Sequence, residues 1–259
     1  MRVFLVLLFA SSISMAHAQG LPEYLSAARE LDSLVIEATN NNAMPRVTDI
    51  KVAQLVSVLS DSDRFLNSTA YETKDLGDLV EICGKANAIS MKYALFDLKK
   101  AIDPKTDQKK IVLRVQQVME KNVLAFQDEL ELLQPFLIRC MAKQAPLMND
   151  FMLKLKPEEI TEIRVQGIRQ ARNGTYNMYM GFLQSLNFKG IKASYRLKLL
   201  RALSETAERY SAILQPEARQ KIGDFAKLVQ LSAPEPFRSD LKTIIEAMSA
   251  TACDGLCKL

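Results

Sequence analysis

Apolar residues recur every three or four positions along almost the whole of this chain. That spacing places them on one face of an α-helix, whose side chains repeat every 3.6 residues. From Pro22 to Thr39 the stripe is Tyr24, Leu25, Ala28, Leu31, Leu34, Val35 and Ala38. Asn40-Asn41-Asn42 closes it, and Pro45 precedes a second predicted helix over 47–59. The polar stretch from Ser60 to Tyr71 reads as a loop with one turn around Arg64 to Leu66. Thr73 is placed to cap a third helix running to Ile102, where Asp103-Pro104 stops it.

The clearest stripe runs from Val112 through Met119, Phe126 and Leu133 to Cys140 and predicts one long helix. Pro135 falls inside it and predicts a kink; Pro146 predicts a second kink or a new segment ending near Leu155. Pro157-Glu158-Glu159 and Pro216-Glu217 read as helix starts, with proline in the first turn and acids near the positive end of the helix dipole. The last helices are predicted over 191–214, 216–231 and 239–252, with Ala233-Pro234-Glu235-Pro236 as a rigid linker. No segment alternates with period two for long enough to make a strand. The expected fold class is all-α, an irregular multi-helix bundle of about seven or eight helices. It forms a single domain over 19–259, with 103–106 the one place for a subdivision.

The least ordinary segment lies between residues 160 and 187. Gly167, Gly174 and Gly181 are spaced seven apart, with Ala171, Met178 and Ser185 between and beyond them. On one helix these six form a seam of mostly small residues. An interior glycine costs a helix about 1 kcal/mol relative to alanine, so three in register require a reason. A neighbouring helix in close approach is one reason, and a groove for a ligand or partner is another. The plain alternative is that Asn173-Gly174 ends one helix and Thr175 caps the next. Tyr176, Tyr179 and Phe182 flank the seam as candidate stacking surfaces, against the commoner role of core aromatics. Basic residues gather nearby, with Lys192 and Arg196 on one polar helix face as a second candidate surface for an anionic partner.

Composition narrows the chemistry. The chain carries +4 formal charge over 259 residues, well short of the charge typical of nucleic-acid binding, so no nucleic-acid partner is expected. Arg2, the apolar run Val3 to Ala10 and the small-x-small site Ala16-His17-Ala18 read as a signal peptide over 1–18. Export to the periplasm or the exterior is therefore expected, with no membrane span in the processed chain. His17 is the only histidine, so processing would leave none. Histidine-dependent triads and dyads, and His-ligated metal or haem sites, are then excluded, and no metal or cofactor is expected.

An exported chain with four cysteines favours disulfides. The expected pairs are Cys83–Cys140 and Cys253–Cys257, the latter joined across the turn at Asp254-Gly255. Met141, Met148 and Met152 share one face of the long helix; as thioethers they suit monovalent copper, but gap-filling in a core is the simpler role. Glu158, Glu159 and Glu162 cluster, as do Asp128, Glu129 and Glu131, so a carboxylate-dependent hydrolase acting on cell-wall sugar is the rival class. The leading expectation is a non-catalytic exported protein that binds a partner protein or an envelope component through the glycine seam and its flanking aromatics. Self-association through the seam, as a structural or assembly protein, is the third.

Overall fold

In the computed structural model the described residues are 21–61, 65, 71–98, 107–250 and 255–258; within them every stripe with three-to-four spacing is helical and no strand occurs. The expected signal segment and Cys253 lie outside these residues. Among the described residues nine α-helices follow in order: α1 (Leu21–Asn40), α2 (Ile50–Ser60), α3 (Leu76–Ala94), α4 (Gln108–Ala125), α5 (Gln127–Leu153), α6 (Glu162–Ser185), α7 (Ala193–Ile213), α8 (Pro216–Ser232) and α9 (Glu235–Ala250). Short 3₁₀ turns occupy Thr73–Asp75, Pro157–Glu159 and Gly255–Lys258. Local chemistry sets several starts. Asp49 accepts hydrogen bonds from the Lys51 and Val52 amides, Asp107 from Lys109, and Thr161 from Arg164.

Several boundaries depart from the sequence pattern, each for a tertiary reason or a proline rule. The long stripe is two helices rather than one, which raises the number of helices above the expected eight. The break comes at Phe126 (φ −117°, ψ 25°), where neither glycine nor proline stands. The Arg46 guanidinium lies 4.3 Å from the Phe126 ring centre and donates 2.7 Å to the Ala125 carbonyl. Phe126 packs edge-on against Tyr93 and Phe96, at 5.4 and 5.8 Å. Pro135 and Pro146, by contrast, both lie inside an uninterrupted α5.

The third helix ends at Ala94 and not near Ile102. Asp97 takes a left-handed conformation (φ 60°), and Asn122 donates to the Ala94 and Phe96 carbonyls at 3.2 and 2.7 Å. Pro157-Glu158-Glu159 forms only a 3₁₀ turn, and α6 starts later behind Thr161. Pro236 is part of the first turn of α9 and not of a linker, because proline's missing N–H has no helical partner there.

Helix α5 is the spine. It packs on α7 to one side and on α2 and α3 to the other; α1 closes over α2 and α3, while α9 and α8 continue the stack beyond α7. One continuous cluster of buried side chains runs from Leu21 to Met248. The expected bond between Cys83 and Cys140 is present and joins α3 to α5, with Cα atoms 5.6 Å apart. Cys257 is also bonded. Several buried polar groups are matched to partners, as apolar surroundings favour. Tyr93 donates to the Pro45 carbonyl at 2.8 Å, and Tyr210 to that of Ile138 at 2.6 Å. Asp32 receives Lys85 and Lys92 at 2.7 and 2.8 Å; burial pushes its carboxyl up, but those two donors outweigh it and hold it below the usual range.

Candidate functional site

Helix α6 is unbroken across Asn173-Gly174, so the glycine seam exists as one face. It is not a helix-packing seam. A Cβ placed on Gly167, Gly174 or Gly181 would meet no atom within 4 Å. The helix instead packs mainly on α7 and α8, burying Ile168, Arg172, Thr175, Tyr179 and Leu183. It stands off from α3 and α5, and the gap is a cavity of about 330 Å³.

Three helices build the walls by the same spacing. Helix α3 contributes Val80, Cys83, Gly84 and Asn87, and α5 contributes Met141, Gln144, Ala145 and Met148. Both sets read i, i+3, i+4, i+7, the periodicity of a single helix face, and each has a small residue at its centre. From α6 come Ile168, Ala171, Arg172, Gly174, Thr175 and Met178, with Ile213 of α7 and Leu256 completing the lining. The Cys83–Cys140 bond ties the first two walls together at the cavity's edge. Gln144 reinforces them by donating to the Leu79 carbonyl at 2.8 Å. The C-terminal turn is clamped through both backbone groups of Leu256. Its amide donates to Asn149 Oδ1 at 3.2 Å, and its carbonyl accepts from Arg172 Nη1 at 3.1 Å.

The lining is mostly apolar and contains no acid. Its one charged side chain is Arg172, only 7% exposed. Among the described residues no carboxylate pairs with it, and its Nε is buried without a partner. Burial, with Arg169 adding repulsion, lowers the affinity of this guanidinium for its proton.

The residues singled out by sequence therefore divide. Ala171, Gly174 and Met178 come together at the cavity, whereas Gly167 and Gly181 do not line it. Tyr179 is fully buried, packs edge-on against Tyr210 at 5.1 Å and donates to the Leu203 carbonyl at 2.9 Å, so it is a core residue and no stacking platform. Burial holds the Tyr179 and Tyr210 phenols far above their usual range, leaving them neutral donors. Tyr176 and Phe182 are half-buried against the core. Lys192 pairs with Asp128, Arg196 donates to the Phe188 carbonyl at 2.7 Å, and Lys198 pairs with Glu131 at 2.8 Å. These three basic residues are thus engaged with α5 and with the loop before α7.

Glu158, Glu159 and Glu162 are exposed, and Asp128, Glu129 and Glu131 each meet a cation. Glu131 and Glu205 share a groove between α5 and α7, yet Glu205 is held by Arg139 at 2.8 Å. Among the described residues no three His, Cys, Asp or Glu side chains gather where they could hold a metal ion, and no helix is long and apolar enough to cross a membrane.

Two features of the site were not singled out by the sequence pattern. Arg172 falls in the segment where basic residues gather, although its place on the stripe Ile168-Arg172-Thr175-Tyr179-Leu183 marks it as a charge on a buried face. The wall on α3 carried its own signal in Val80-Cys83-Gly84-Asn87, a helix face with glycine at its centre. Comparison with family models, with curated proteins and with solved structures finds no match to this chain.

Proposed function

We propose that this is an exported, non-catalytic binding protein, and that the cavity among α3, α5, α6 and α7 is its site. It takes an apolar molecule, or the apolar part of a cell-envelope component. The observation that carries this reading is the pair of glycines on opposite walls. Gly84 and Gly174 both line the cavity, and a Cβ on either would project into space with no atom within 4 Å. Both glycines are exposed, so the site is an open cleft, and a side chain at either position would occupy the space a ligand would use. The volume of about 330 Å³ falls at the small end of the range for ligand pockets. Met141, Met148 and Met178 give the walls flexible thioethers that adapt to ligand shape. The disulfide fits an oxidising compartment, in keeping with the signal-like N-terminus.

The test is a neutral apolar fluorophore, phenylnaphthylamine, titrated into the non-reduced protein. One equivalent is expected to bind and brighten. Gly174→Leu, which places an isobutyl group in the cavity, is expected to weaken binding at least tenfold with the melting temperature unchanged or raised. Equal brightening in wild type and variant would move the site elsewhere, and absence of binding in both would remove this reading.

A further inference from the structure

The buried guanidinium of Arg172 says what kind of molecule the cavity takes; the inference rests on the reading that the cavity is a binding site. An arginine buried to this degree normally meets a carboxylate, because desolvating the cation is costly unless an anion repays it. Here the hydrogen bond the guanidinium does make runs from Nη1 to a neutral acceptor, the Leu256 carbonyl, at 3.1 Å. Nε is buried with no partner, and Arg169 adds a like charge. The bond to Leu256, itself held by Asn149 at 3.2 Å, fixes the plane of the guanidinium at the cavity wall. A buried cation with no counter-ion among the described residues, set at the wall of an apolar cleft, is a receptor for an anion with an apolar tail.

We propose that the cavity binds a single-chain anionic amphiphile, its head group paired with Arg172 and its chain lying between Gly84 and Gly174. At roughly 30 Å³ for each water-sized group, about 330 Å³ accommodates on the order of ten methylene-sized groups, which sets a medium chain length. A carboxylate and a phosphate present the same paired oxygens to a guanidinium, so a free fatty acid and a phosphate-headed lipid fragment share this chemistry.

The experiment displaces bound phenylnaphthylamine with decanoate, decyl phosphate or decanol, in wild type, Arg172→Gln and Arg172→Lys. In the wild type at least one of the two anions is expected to compete about tenfold to a hundredfold better than decanol, the increment of a charge-assisted hydrogen bond in a dry site. Arg172→Gln is expected to bring anions and decanol to parity while leaving the fluorophore's own affinity within about twofold, and Arg172→Lys is expected to restore part of the preference. Decanoate ahead of decyl phosphate assigns a fatty acid and the reverse order a phosphate-headed fragment; both orders uphold the proposal. Parity among all three competitors in the wild type, with the fluorophore still bound, overturns the anionic head group and leaves the apolar site intact. Failure of the fluorophore itself to bind overturns the site. Should Arg172→Gln not fold, the wild-type ranking of the three competitors decides alone.

Discussion

Replacing Cys83 and Cys140 together by alanine is expected to lower the stability of the fold by about 4 kcal/mol. The bond closes a loop of 57 residues, and cross-linking a loop of that length removes about that much chain entropy from the unfolded state. For a chain of this size the corresponding fall in melting temperature is on the order of 10 °C. Both cysteines are fully buried, so the variant also loses two sulfur atoms from close-packed surroundings, and the cost should not fall below the entropic figure. Chemical denaturation of the variant beside the non-reduced wild type measures it. The same bond joins two walls of the cavity, so affinity for an apolar probe is expected to fall along with stability. A loss under about 1 kcal/mol would mean that α3 and α5 are held in place by packing alone.

The second large effect has the opposite sign. Gly167→Ala, Gly174→Ala and Gly181→Ala combined are expected to raise stability by about 2–3 kcal/mol, because each glycine lies within α6 and each costs the helix close to 1 kcal/mol relative to alanine. No added Cβ meets an atom within 4 Å, so nothing offsets the gain. Only Gly174 of the three lines the cavity, and its substitution should narrow the space and weaken the probe. Gain in stability with loss of binding is the pattern expected where open space is kept for a ligand. Urea unfolding distinguishes this from a close-packed seam, for which the triple variant would lose stability instead.

These effects show which parts of the molecule are legible in its sequence. The helical class follows from stripes such as Tyr24-Ala28-Leu31-Val35, because burial of one helix face leaves a periodic trace. Capping residues Asp49 and Thr161 sit where their side chains hold backbone amides. Helix ends set by distant partners leave no such trace. The break at Phe126 depends on Arg46, about eighty residues earlier by the separation of 79 between Arg46 and Ala125, and the end of α3 depends on Asn122. Both interior prolines of α5 lie within the helix without ending it.

The seam illustrates the same limit at the site. Spacing by three and four establishes that Ala171, Gly174 and Met178 share a face, but the distance from that face to the next helix depends on where α6 is docked. It docks through Ile168, Thr175, Tyr179 and Leu183, and the face beside them is left open onto α3 and α5. Arg172 belongs to both descriptions, a charge on the docking face that also lines the opening.

The central claim is that this opening is where a ligand binds, and the methionines offer the most direct measurement. With isotope-labelled methionine methyl groups, NMR spectra recorded during a decanoate titration report each site separately. Met141, Met148 and Met178 line the cavity, whereas Met44, Met91 and Met248 do not. The account predicts saturable shifts at Met141, Met148 and Met178, with the other three still. Shifts centred on Met44, Met91 or Met248, or none at any methyl at saturating decanoate, would contradict it.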